Sequence, residues 1–308
     1  MRVATLIVNP VARQARRFEA QLPAIELLLR QNGFSVKVFR TTSAADSAQV
    51  LAAAAADAST LVLACGGDGT VHGVVQGIAQ TAAILGIVPL GTANAMARNL
   101  GLPMQPFAAV ASLMTYQPQR IPLGQITTAK GTRWFAVMAG CGPDGMLVDE
   151  LSRAGGQRMK ARFGRAAYYA HAARLFFRRR WLQFPAKFKL LDSDPWTSAH
   201  VVAVMVSRVA DLGGVFSATT PLARMADDRL HLQLVRGPGW MSLPAWMMCS
   251  RFGLPNPWLT TVDCAEVECD GHGVYAQADA EGMGSLPMRL RVVPNALSVL
   301  MAPDAAAG

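Results

Sequence analysis

The sequence predicts an α/β plus β-rich fold. An N-terminal Rossmann-like parallel α/β domain spans residues 1–120. A β-sandwich domain with helical inserts follows over residues 121–308, its last residues returning to the first domain. Three observations predict this. Short β-rich runs alternate with helical patterns up to about residue 120, the signature of βαβ units and a parallel sheet. After Pro118 most strand-like runs are joined by turns instead of amphipathic helices. Finally, 52% of the 308 residues are hydrophobic and 16% charged, enough apolar side chain to bury two cores without disulfide or zinc staples.

In the first half, residues 3–8 read as a strand and 18–31 as a helix closed by Gly33. A second strand at 35–39 precedes an alanine-rich helix at 44–58. The apolar run 61–64 is a buried strand, 71–78 begins another helix, and 84–89 is a further strand. In the second half, strands are expected at 121–127, 134–139, 184–191, 199–206, 230–235, 262–268, 273–278 and 288–293. Helical inserts are expected at 144–153, 163–178 and 240–252, with no internal repeat.

The charge is localised. Residues 151–191 hold eleven Lys and Arg and no Asp or Glu, and the rest of the chain has 18 basic and 20 acidic residues. Five cysteines at 65, 141, 249, 264 and 269 form no disulfide-framework spacing, which points to a reducing, cytoplasmic setting. The N-terminus lacks the apolar length and cleavage site of a signal peptide. The uncharged stretch 69–97 is interrupted by Gln76, Gln80, Pro89 and Asn94, so it reads as buried α/β core instead of a membrane span.

Two segments carry chemistry. The strand at 61–64 runs into Cys65-Gly66-Gly67-Asp68-Gly69-Thr70, placing three glycines and a carboxylate just before a helix. Glycines there let backbone N–H groups approach phosphate oxygens, with the helix N-terminus adding a favourable dipole. No Lys-Ser/Thr follows, so this is not a Walker loop. A tight turn capped by Asp68 is the bland alternative. One βα unit later, Pro89-Leu90-Gly91-Thr92-Ala93-Asn94 brings a glycine, a hydroxyl and an amide to the same sheet edge. By itself that loop is also ordinary N-cap chemistry. His72, just inside the following helix, reads as a cap or surface residue.

Taken in order, the segments resemble the bacterial diacylglycerol-kinase-like lipid kinase family, related to sphingosine and ceramide kinases and more distantly to NAD kinases. Asn9-Pro10 is similar to the opening strand–turn, and Thr41 to a nucleotide-contacting threonine. Gly66–Thr70 is similar to GGDGT, 89–94 to a second nucleotide loop, and Gly140-x-Gly142-x-Asp144 to a G-x-G-F-D segment. Gly164 with Tyr168 resembles the helix that follows, Asp227-Asp228-Arg229-Leu230 a D-G-x-L metal turn, and Asp279-Ala280-Glu281-Gly282 a D-G-E turn. The chain departs from the pattern at His72, Gly73, Ala95, Pro143, Arg229 and Ala280.

The resemblance implies an ATP-dependent lipid kinase with Mg²⁺ on the nucleotide. Thr41, Gly66, Gly67, Asp68, Gly69, Thr70, Thr92 and Asn94 would bind the nucleotide. Glu281, with Asp279 and Asp68, would supply the catalytic carboxylates, and Asp228, Met225 and Leu230 would hold a second, structural divalent ion. The acceptor would be a diacylglycerol-like or long-chain lipid, with Trp240, Met241, Trp246, Met247 and Met248 suited to a greasy site. Read from its own residues, the basic stretch is either an ordinary solvated helix face or, with Leu175, Phe176 and Phe177 beside Arg178, Arg179 and Arg180, a surface facing an anionic membrane; the second would give a peripheral protein at the inner membrane surface. No nucleic-acid motif accompanies these cations, so no nucleic-acid partner is expected. Monomer and homodimer both stay open. So do two alternatives: an NAD-kinase-like phosphotransferase, since GGDGT is shared, and a catalytically weakened nucleotide- or lipid-binding homologue.

Overall fold

The computed structural model describes residues 2–42, 47–153, 181–191, 195–212, 223–252 and 254–302. The first half is a βα succession: β1 (Arg2–Val8), α1 (Ala15–Gln31), β2 (Phe34–Arg40), α2 (Ser47–Ala56), β3 (Leu61–Gly66), α3 (Asp68–Ile78), β4 (Ile84–Pro89), α4 (Ala95–Asn99) and α5 (Pro106–Leu113). Strands β4-β3-β1-β2 are neighbours in that order and all parallel. Every residue of β3 is buried, as expected of a strand covered on both faces by helices.

The second half contains β5 (Gln117–Thr128), β6 (Gly131–Phe135), β7 (Met138–Cys141), α6 (Pro143–Arg153), β8 (Phe184–Leu190), β9 (Thr197–Val201) and β10 (Ala203–Ser207). It continues with β11 (Leu230–Val235), α7 (Gly239–Phe252), β12 (Leu259–Cys269), β13 (Tyr275–Ala278), β14 (Glu281–Ser285) and β15 (Met288–Met301). The pairings β13–β7, β7–β10, β10–β11 and β11–β12 are all antiparallel. A core of Phe135, Phe184, Phe188, Leu230, Leu232, Leu234 and Leu290, among others, fills this half. The architecture is thus the expected parallel α/β sheet followed by an antiparallel β-rich region.

Several details differ from expectation. The run 134–139 is divided between β6 and β7, and 199–206 between β9 and β10. Strand β14 and helices α4 and α5 have no counterpart among the expected elements, and β15 extends to residue 301 instead of stopping at 293. That extension pairs antiparallel with β5 and, at Ser298 and Val299, parallel with β4. The last strand therefore lies along the exposed edge of the N-terminal sheet. The expected helix at 163–178 lies outside the described residues.

Candidate active site

Four strands deliver the N-terminal signals to one edge. Val8 stands opposite Arg40 and Cys65, and Gly66 opposite Pro89, so Asn9, Thr41, Gly66–Thr70 and the 89–94 loop emerge at the same level. The carboxyl edge of a parallel sheet is where such folds bind ligands.

The two glycine loops are built against each other. A Cβ on Gly91 would lie 2.5 Å from the Cα of Gly67, so the loops touch backbone to backbone. Asn94, in the left-handed region at φ 50°, accepts from Gly91 N through its Oδ1 (3.0 Å) and donates through Nδ2 to Gly91 O (3.2 Å). Asp68 spans the two loops. Its Oδ2 accepts from Asn94 N (2.9 Å) and its Oδ1 from Ala95 N (2.6 Å), so it caps α4. The capping role considered for Asp68 is thus directed at the next loop. Thr70 is buried and its hydroxyl accepts from Asn9 Nδ2 at 3.2 Å. Gly69 and Thr92 are exposed, and a Cβ on Gly69 would meet nothing within 4 Å. The cradle therefore opens to solvent at Gly69 and Thr92, while Gly66, Gly67, Asp68 and Asn94 shape it from behind. Thr41 stands at the end of β2, its N–H bonded to Val8 O at 2.8 Å.

The Asp279–Gly282 turn joins β13 to β14 and reaches the same helix that begins at Asp68. Asp279 (φ 46°) and Ala280 (φ 67°) are both left-handed. The Asp279 carboxylate accepts from the backbone N–H groups of Ala136, Val137 and Met138 at 2.8, 3.0 and 2.8 Å. It also lies 3.2 Å from Nδ1 of His72, whose Nε2 is 3.3 Å from Glu281 Oε2. His72, expected as a cap or surface residue, is only 3% exposed. Burial pulls its pKa down, but the hydrogen bonds and charges of Asp279 and Glu281 outweigh this and push it up to about 9. The ring is accordingly an imidazolium at neutral pH, bridging two carboxylates. Glu281 is 41% exposed and also lies 3.7 Å from Arg133 Nη2. Burial would raise its carboxyl; the His72 bond and charge and the Arg133 charge instead hold it below the usual range. Asp279 is thus fully engaged, whereas Glu281 is anchored at one oxygen and open to solvent.

His72 and Arg133 complete this cluster, and sequence reasoning missed both. The available signal was the position of His72 one helical turn after Asp68, among Val71, Val74 and Val75. A helix held between a sheet and a second β layer buries two of its faces. Gly73 has a packing role: a Cβ there would lie 2.8 Å from that of Ala48 on α2.

At the 225–230 turn, the Met225 carbonyl accepts from Arg208 Nη2 at 2.9 Å. The carbonyls of Asp227 and Arg229 accept from Nη1 at 2.7 Å each. Leu230 O accepts from the Cys264 thiol at 3.7 Å, and Asp228 is exposed. Arg208 is 1% exposed, and burial lowers its pKa to about 10, so it stays charged at neutral pH. The turn's carbonyls face a guanidinium, a poor fit for a metal ion as well. Asp144, at the start of α6, is half-buried; desolvation raises its carboxyl, and Gln277 Nε2 donates to it at 3.0 Å. Arg178, Arg179, Arg180, Gly164 and Tyr168 lie outside the described residues. Trp240, Met241 and Met248 are exposed on α7, and no helix among the described residues is long and apolar enough to cross a membrane.

A glycine-lined sheet edge facing an acidic turn from a second β-rich half defines a phosphotransferase of the kinase class. Comparison with known proteins shows the family. Residues 3–126 match the diacylglycerol kinase catalytic domain, and residues 145–301 the YegS C-terminal NAD kinase beta sandwich-like domain. A Mycobacterium tuberculosis protein named diacylglycerol kinase is 30% identical over 303 residues, covering 96% of this chain and 94% of that one. A Pseudomonas putida protein named probable lipid kinase YegS-like is 37% identical over 142 residues, 46% of this chain and 45% of its own. The chain belongs to the diacylglycerol kinase and YegS-like lipid kinase family, and it is a kinase. In fold it is similar to a crystal structure of a Bacillus anthracis putative diacylglycerol kinase, with a TM-score of 0.76 at 22% identity over 98% of this chain and 96% of that one. It is also similar to yeast NADH kinase, with a TM-score of 0.52 at 10% identity over 98% of this chain and 84% of that one.

Proposed function

We propose that the protein is an ATP-dependent lipid kinase that transfers the γ-phosphoryl group to the hydroxyl of a diacylglycerol-like or long-chain lipid. The observation that carries the reading is helix α3. Its first turn belongs to the Gly66–Thr70 cradle, and one turn later His72 grips the Asp279–Glu281 turn. One rigid element, about 5 Å of helix, thus links the phosphate end to the carboxylate end.

ATP would lie at the cleft between the two halves, its phosphates over Gly66, Gly67, Gly69 and Thr70, with Thr41, Thr92 and Asn94 at the loop edges. A divalent ion, Mg²⁺ in this reading, would neutralise charge on the phosphates when bound; Asp68, whose two oxygens also cap α4, would hold it through their remaining lone pairs. Glu281 takes the proton from the acceptor hydroxyl as that oxygen bonds to the γ-phosphorus. The bond from phosphorus to the bridging oxygen breaks, and ADP leaves with the electron pair. A loose transition state asks more for position than for basicity, which suits a carboxylate whose proton affinity is lowered by His72 and Arg133. Asp279 and His72 hold it in place.

Reversible docking on an anionic bilayer through Arg178, Arg179 and Arg180 belongs to the same proposal. The eleven cations of 151–191 support it, each worth about 1 kcal/mol near such a surface. So does the exposed apolar face of α7, with Trp240, Met241 and Met248. The test is to incubate the protein with radiolabelled ATP and Mg²⁺, offering vesicles that carry diacylglycerol, ceramide or long-chain alcohols, and separately NAD. Label in a lipid product, abolished in Asp68→Ala, is the expected result. Label only in a phosphorylated NAD would move the protein to the soluble-acceptor reading.

A further inference from the structure

The most deeply buried cation of the described residues serves no carboxylate. Arg208 follows β10, and its guanidinium points into a ring of main-chain carbonyls. Nη1 donates to Asp227 O and Arg229 O at 2.7 Å each, and Nη2 to Met225 O at 2.9 Å and Pro122 O at 3.0 Å. All four terminal N–H groups are thereby used, by acceptors from β5 and from the turn leading into β11. Asp227 and Asp228 act on it through space, adding negative potential to the carbonyls. Four carbonyl dipoles aimed at one point repel one another unless a positive charge sits between them. Oxygen ligands of this kind are what a hard divalent cation gathers, and a planar guanidinium with fixed donors satisfies the same set without being stripped of water.

We propose that Arg208 is a built-in cation that takes the place of a structural divalent ion at the 225–230 turn, so that this fold holds the turn without metal. The Asp227 side chain is available elsewhere as a result: it lies 3.0 Å from His231 Nε2, while His231 Nδ1 lies 2.7 Å from Asp263. A small charged network thus continues from the turn into β11 and β12. The assignment concerns folding and holds whether or not the acceptor is a lipid.

The experiment uses the full-length protein, free of nucleotide. After desalting, its divalent metal content is measured, and its melting temperature is recorded with EDTA and with millimolar Mg²⁺ or Ca²⁺. The expected result is less than about 0.1 ion per chain and melting temperatures agreeing within about 1 °C. Arg208→Ala should melt lower by about 5–10 °C, the scale of several lost charge-assisted bonds in a chain of this size. Arg208→Lys, which keeps the charge but loses the fork, should fall between the two. A stoichiometric ion surviving desalting, with a melting temperature that drops in EDTA, would overturn the proposal. So would an Arg208→Ala protein as stable as the parent. If neither variant folds, the metal content and EDTA response of the parent still decide.

Discussion

Replacing His72 by Asn offers a quantitative test of the buried bridge between the two halves. In the folded chain the imidazole has a pKa of about 9, against an ordinary value of 6.5. The folded protein keeps this proton where the unfolded chain has released it, so stability falls as pH rises between those values. The contribution is complete below pH 6.5 and gone above about pH 9. Across about 2.5 pH units, at about 1.4 kcal/mol per unit, the loss is about 3–4 kcal/mol. The lowered carboxyl of Glu281 reports the same contact and is not counted again. Buried thiols such as Cys65, raised by burial, also weaken the fold at alkaline pH, but they act equally in parent and variant. Urea unfolding from pH 6 to 9.5 should therefore show the parent losing about 3–4 kcal/mol more than His72→Asn. Its advantage over the variant should shrink steadily through that window. Parallel pH profiles would refute the imidazolium bridge.

Glu281→Gln preserves the turn but cannot take a proton; turnover should fall by about 10²–10⁴ in steady-state assays, with nucleotide affinity measured by calorimetry unchanged. Retention within a few fold would transfer the role to Asp68. Gly91→Ala forces a Cβ against Gly67, 2.5 Å from its Cα, and should weaken nucleotide binding at least tenfold by calorimetry, whereas Gly69→Ala meets open space and should leave the melting temperature unchanged. Ala280→Gly relieves a left-handed alanine at φ 67° and should stabilise the protein by about 0.5–1 kcal/mol in urea unfolding.

The N-terminal half was legible because its strands are unbroken apolar runs ending in glycine, as at 61–67 and 84–91, and parallel strands buried on both faces leave that trace. The residues of the cradle were legible by type, but not the division of labour among them. Asp68 and Asn94 spend their polar atoms on the neighbouring loop, a contact between residues 26 positions apart that local spacing does not encode. Strand β14, Glu-Gly-Met-Gly-Ser, carries two glycines in five residues and reads as a turn until β13 is found beside it. The second half of β15 was hidden by Pro294 and by Asn295 at φ 51°, where its register against β5 shifts. His72 and Arg208 were illegible for a common reason: each is a charged side chain whose partners arrive from distant elements, at positions where polarity alone argues for solvent.

The route of β15 bears on how the chain is made. Translation completes β1 to β4 long before residues 298–299, which cover the open side of β4, have been synthesised. Until then that edge presents unpaired main-chain groups, and α3 lacks the acidic turn that neutralises His72. A nascent N-terminal half is therefore sticky and unfinished, and its two deficits are repaired together by residues 279–299, which are synthesised long after β4.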